Sequence, residues 1–171
     1  MKRKLTPFIV IAGALSLALL AAACGGSSAG SNASGGYLGV ATPAASTPAP
    51  GSTTVATAQT QLGRILADGG DNTLYLFERD EGGRSACTGA CASQWPPLLT
   101  DGPAVAGTGA TASLLGTTRR VDGTTQVTYA GHPLYRFGQD TEPGQTNGQG
   151  LDAFGAEWYV VSPAGDKVDG D

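Results

Sequence analysis

Cys87 and Cys91 are separated by three residues, and the chain's single histidine, His132, lies well downstream of them. Two sulfurs at this spacing support two chemistries. Joined to each other, they form a short disulfide that fixes local geometry more than it restricts the unfolded chain. As thiolates they are soft donors that select Cu(I), with His132 as a third ligand if the fold brings it near. A second set of candidates is aromatic and acidic: Tyr75, Phe77 and Asp80 return in the same order as Tyr135, Phe137 and Asp140. In an alternating strand a tyrosine and a phenylalanine two places apart share one face. The aspartate three residues on can then fix the following loop by accepting backbone N–H bonds. On this reading the rings are the core of each copy. The alternative makes the two Tyr/Asp sets parts of one binding site related by pseudo-symmetry.

Other reactive patterns are missing. The loop from Asp140 to Glu157 carries Asp140, Glu142, Asn147 and Asp152 among glycines; such oxygen donors suit calcium, but their spacing is not that of an EF-hand. There is no Gly-x-Ser-x-Gly, no His-Glu-x-x-His, no phosphate loop and no nucleotide fingerprint. One histidine leaves few candidates for a general base. No catalytic residue and no cofactor is therefore assigned, and a binding or structural module is favoured over an enzyme.

The elements that must hold these residues form a repeat. Leu74-Tyr75-Leu76-Phe77-Glu78-Arg79-Asp80 returns as Leu134-Tyr135-Arg136-Phe137-Gly138-Gln139-Asp140, and each copy is followed by a tryptophan, Trp95 or Trp158. Short aromatic and β-branched runs broken by Gly turns predict small, mainly antiparallel sheets in an all-β domain. The expected strands are Gln61–Ala67, Thr73–Glu78, Thr117–Val121, Thr125–Ala130, Pro133–Phe137 and Trp158–Ser162, with Asp122-Gly123 as a two-residue hairpin turn. Only Cys87–Gln94 reads as one or two turns of helix.

These residues resemble the predicted bacterial lipoprotein family marked by a Tyr-x-(Phe/Trp/Tyr)-x-x-Asp motif, the secreted repeat of unknown function. The likeness includes Ser85-Ala86-Cys87-Thr88-Gly89-Ala90-Cys91 leading to Trp95-Pro96-Pro97-Leu98, and Gly131-His132-Pro133-Leu134-Tyr135. It implies an exported lipoprotein with a tandem repeat, and implies no activity.

The N-terminus agrees with export. Lys2, Arg3 and Lys4 precede an apolar run from Pro7 to Ala23, closed by Ala21-Ala22-Ala23-Cys24. This is the charged, apolar and small-residue sequence of a signal peptide. The run is slightly short for a membrane span, which needs about 20 residues. Its end resembles the lipobox of bacterial lipoproteins, with Ala21 where leucine is usual, which makes Cys24 the lipid acceptor of a palmitate-type anchor. Acylated Cys24 cannot pair, leaving Cys87 and Cys91, and outside the cytoplasm such a pair is normally oxidised. A disulfide is therefore expected, with the Cys87, Cys91 and His132 copper or redox site as the alternative.

Between Gly25 and Gly63 there is no charged residue, and Gly, Ser, Ala, Thr and Pro dominate. The expected organisation is a signal peptide over 1–23, a lipid-acceptor cysteine and disordered tether over 24–60, and a two-repeat β domain over 61–166. The repeats are placed at about 61–100 and 117–163. Loss of Lys2, Arg3 and Lys4 leaves seven basic residues against fourteen acidic ones, a balance of −7. An acidic chain with no basic cluster argues against nucleic acid as a partner and against electrostatic docking on anionic lipid. The expected setting is the outer side of the cell membrane, held through the lipid, with an envelope ligand or protein as partner.

Overall fold

The computed structural model describes residues 49–170. Among these, nine strands carry the fold: β1 Thr53–Thr60, β2 Gly63–Asp68, β3 Tyr75–Phe77, β4 Ala104–Ala106, β5 Leu115–Arg119, β6 Thr125–Tyr129, β7 His132–Pro133, β8 Leu151–Ala153 and β9 Ala156–Val160. One five-residue helix, α1, spans Ala90–Gln94, and a short 3-10 helix spans Ala112–Leu114. No helix among the described residues is long and apolar enough to cross a membrane. The strands form three three-stranded sheets, ordered β2-β1-β4, β3-β9-β8 and β5-β6-β7. All neighbours are antiparallel except β1 and β4, which run parallel with Thr53 opposite Ala104. The domain is thus all-β and mainly antiparallel.

Strand alternation builds two cores rather than one. Successive side chains of a strand point to opposite faces. Tyr75 and Phe77 enter an aromatic cluster with Trp95, Tyr135, Phe137 and Trp158, while Leu74 and Leu76 enter an aliphatic cluster with Leu66, Leu98, Val127 and Leu134. β2 shows the same division: Ile65 faces the aromatic cluster and Leu66 the aliphatic one. Both faces of the motif are therefore buried in the first copy, and in the second except at Arg136, whose side chain is partly exposed and pairs with Asp68.

The tether and the domain meet earlier than the composition suggests. Thr53–Thr60 was expected to belong to the disordered tether, yet it forms β1, pairing with the whole of β2 from Val55 opposite Asp68 to Thr60 opposite Gly63. Val55 is its only buried residue. This segment is held by ladder hydrogen bonds on both edges more than by apolar burial, so its Thr/Ala composition carried little signal. Cys24 and the remainder of the tether, to residue 48, lie outside the described residues.

The other boundaries shift by up to four residues. The turn after β5 is wider than a two-residue hairpin: Arg119 pairs with Thr125, Arg120 N–H bonds Thr124, and Gly123 N–H returns to Arg120. The stretch expected as the strand Pro133–Phe137 pairs at His132 and Pro133 and then makes single bridges at Tyr135. Ala130, with φ 49°, and Gly131, with φ 85°, make the tight reversal between β6 and β7, a backbone shape that glycine adopts without cost.

The two copies interlock. In the first, Leu66 N–H donates to Val161 O, Val161 N–H to Leu74 O and Leu74 N–H back to Leu66 O. In the second, Val127 N–H donates to Leu98 O, Leu98 N–H to Leu134 O and Leu134 N–H back to Val127 O. Val161 follows Trp158 of the second copy but completes the first. Leu98 follows Trp95 of the first copy but completes the second. Neither repeat closes its backbone hydrogen bonds alone.

Candidate functional site

The motif strands meet where the copies cross. Tyr75 N–H donates to Tyr135 O at 2.9 Å, and Tyr135 N–H donates to Tyr75 O at 3.0 Å. From that pair the two phenols reach different loops. Tyr75 Oη donates to Asp140 Oδ2 at 2.5 Å, and Tyr135 Oη donates to Asp80 Oδ2 at 2.7 Å. Each tyrosine thus bonds the aspartate of the other copy. The second oxygen of each carboxylate holds its own loop: Asp80 Oδ1 accepts from Ala86 N–H at 2.7 Å, and Asp140 Oδ1 from Asn147 N–H at 3.0 Å.

Between the two clasps lies an aromatic stack. Trp95 and Trp158 are parallel with ring centroids 3.9 Å apart, and Phe77 continues the stack on Trp158 at 4.0 Å. Phe137 packs on Trp95 at 4.2 Å, and the tyrosines meet the tryptophans edge-on, Tyr75 with Trp95 and Tyr135 with Trp158. Tyr75, Tyr135, Trp95 and Trp158 are fully buried, and Phe77 and Phe137 nearly so. Trp158 Nε1 donates to Ala153 O, whereas the Trp95 indole N–H is buried without a partner. Cys87 and Cys91 are joined as a disulfide and belong to the same cluster.

Burial dominates the electrostatics here. It raises the phenol pKa of Tyr75 and of Tyr135, and the facing carboxylates raise them further, so both stay protonated beyond the ordinary range of a phenol. Burial also pushes the Asp80 carboxyl upward, against the N–H of Ala86, the hydroxyl of Tyr135 and the charge of Arg120. Asp68 goes the other way. Burial would raise it, but bonds from Asn72 and Gly70 and the guanidinium of Arg136 outweigh that and hold it below the usual carboxylate range.

Several residues central to this arrangement carried no local sequence signal. Ser85 bonds Tyr135 Oη at 2.7 Å and accepts from Arg120 Nη1 at 2.6 Å. Buried Arg120 also donates to Gln126 Oε1 and to Cys87 O, and pairs with Asp122 at 3.4 Å. A hydrogen-bonded chain therefore runs from Asp80 through Tyr135 and Ser85 to Arg120. Gly148 is pressed against the other clasp: its N–H bonds Tyr75 Oη, and a Cβ there would lie 2.7 Å from the Trp95 ring. Only Asp68 had a readable cue, an aspartate before Gly69-Gly70, the pattern of a side chain that caps its own turn.

His132 lies apart from the sulfurs' chemistry. It is exposed, on the rim of a cleft of about 560 Å³ that Asp80, Glu78, Asp166 and Lys167 also line. The two cysteines are bonded to each other, so neither offers a thiolate. Among the described residues no three His, Cys, Asp or Glu side chains are grouped to hold a metal ion. Of the acidic loop, Asp140 is engaged by Tyr75 and Asn147, while Glu142 and Asp152 are exposed.

No curated protein and no solved structure matches the chain. Residues 56–99 and 116–162, one stretch for each copy of the motif, match the family described as a secreted repeat of unknown function, and the chain belongs to that family.

Proposed function

We propose that the protein is a lipid-anchored module of the outer side of the cell membrane, which binds or organises an envelope component rather than catalysing a reaction. Membership of a secreted-repeat family makes it an extracytoplasmic domain of unknown activity. The lipid anchor is the finer step, and the Ala21-Ala22-Ala23-Cys24 sequence supports it. One observation carries the rest. The most conspicuous chemical groups of the motif, two phenols and two carboxylates, bond each other across the repeats at the margin of the core. Groups so occupied support a clasp that makes the fold, leaving the surface for recognition. Metabolic palmitate labelling tests the anchor. Wild type takes up label and partitions into detergent, and Cys24→Ala does neither. An unlabelled wild type with a free Cys24 thiol in the aqueous phase overturns the proposal.

A further inference from the structure

Four of the seven basic residues that remain after the signal peptide lie around one place on this acidic chain. Arg84, Arg119 and Arg120 line a cleft of about 430 Å³ with Ser85, and Arg79 and Arg84 line a second of about 390 Å³, also with Ser85. The two clefts share Arg84 and Ser85 and so adjoin. Their arginines come from the loop after β3 and from the end of β5 and the turn that follows it, stretches far apart in sequence. That is why no basic run marks them.

The arginines have different roles. Arg120 is buried, with its Nε and both terminal nitrogens hydrogen-bonded to Asp122, Ser85, Gln126 and Cys87 O. It is a floor, holding Ser85 in place. Arg79, Arg84 and Arg119 are exposed, and none forms an ion pair among the described residues. Arg79 uses one nitrogen on Phe154 O. Glu81 lines the second cleft, and Asp122 and Asp80 act on Arg120 from beside it, so four positive charges meet three negative ones. The local balance is still opposite in sign to that of the chain.

Both supporting loops are pinned before any ligand arrives. Asp80 Oδ1 ties the first through Ala86 N–H, and Asp122 Oδ1 ties the turn through the N–H and hydroxyl of Thr124. Loops pinned in this way lose little backbone freedom on binding.

We infer that these joined clefts bind a linear polymer whose repeating charge is a phosphate and which carries no bases, since the net acidic chain has too little positive surface to suit nucleic acid. A guanidinium presents a planar fork of donors that matches phosphate oxygens. An in-chain phosphate offers a fork two unesterified oxygens and, unlike a carboxylate, keeps its charge in mild acid. A row of arginines along two adjoining clefts suits successive charges better than a single small anion. This deepens the reading of the domain as a binding module and rests on it. It is independent of the lipid anchor, so failure in the palmitate experiment and failure here are distinct results.

The test is calorimetric titration of the full chain with short linear polyphosphate, inorganic phosphate, polyglutamate and phosphatidylglycerol vesicles as separate probes. Polyphosphate should bind, more weakly as salt rises, and Arg84→Gln with Arg119→Gln should weaken it about tenfold or more. Both residues are exposed, so the melting temperature should hold. Arg64→Gln, remote from these loops in sequence and strand, should leave binding unchanged. Absence of polyphosphate binding overturns the inference, as does equal weakening by Arg64→Gln. Inorganic phosphate, polyglutamate or vesicles binding as tightly as polyphosphate also overturns it, by showing that repeated phosphate is not what is recognised.

Discussion

Tyr135 in the second copy of the motif donates its phenolic proton to Asp80 of the first, across 2.7 Å, while Tyr75 of the first donates to Asp140 of the second. The spacing of tyrosine and aspartate within each copy is therefore not the distance over which they interact. Each spacing sets a donor and an acceptor facing opposite ways, and a second copy completes both pairs.

The clasps should couple crosswise. Tyr135→Phe removes the proton that satisfies half-buried Asp80 Oδ2 and should cost about 1–3 kcal/mol. A double-mutant cycle of Tyr135→Phe with Asp80→Ala should give a coupling of roughly 0.5–3 kcal/mol, and the same-copy cycle of Tyr75→Phe with Asp80→Ala a value near zero. Urea unfolding of the six proteins measures both. Equal coupling in the two cycles would contradict the crosswise geometry.

The tryptophan stack should carry much of the core's stability. Trp158→Ala empties the space between Phe77, Trp95 and Tyr135 and should cost about 3–5 kcal/mol. Gly148→Ala adds a methyl against the Trp95 ring, where the gap for a Cβ is only 2.7 Å, and should cost about 1–3 kcal/mol by overpacking. Chemical denaturation reads both, and a neutral Gly148→Ala would mean that the loop moves freely off the ring.

The disulfide should matter modestly. Cys87 and Cys91 close a loop with a sequence separation of 4, for which chain entropy predicts a stabilisation of about 2 kcal/mol. Replacing both by alanine should lower stability by that order while leaving the fold intact. Intact mass of protein from the envelope should fall two hydrogens short of the reduced chain. Two alkylatable thiols together with stoichiometric copper would instead revive the metal reading.

Stability should fall at both ends of the pH scale for different reasons. Asp68 has a depressed pKa when folded, so its contribution is present above the unfolded aspartate value and is lost as pH falls through the lower folded one. Tyr75 and Tyr135 have raised pKa values, so theirs is full below the unfolded tyrosine value of 10.0 and is lost as pH rises toward the higher folded ones. Asp68→Asn should flatten the acid limb of a stability–pH profile, and Tyr75→Phe the alkaline limb. Unchanged slopes would refute the assignment. Asp80, raised by burial, works against Asp68 and shallows the acid limb.

The sequence by itself determined the elements whose cause is local. Alternation placed tyrosine and phenylalanine on one face, glycine turns separated the strands, and the reiterated Leu-Tyr-x-Phe-x-x-Asp announced two copies. Cys87 and Cys91, so near in the chain, needed no fold to find each other. Tertiary structure decided everything that depends on a partner. β1 is a strand because β2 and β4 supply hydrogen bonds on both edges, an environment that Thr-Thr-Val-Ala-Thr-Ala-Gln-Thr does not advertise. The crossing of the copies, by which Leu98 completes the second and Val161 the first, rests on backbone groups that are alike at every residue. The arginine cluster arises likewise, from two stretches brought together when Tyr135, Ser85 and Arg120 satisfy one another beneath the surface.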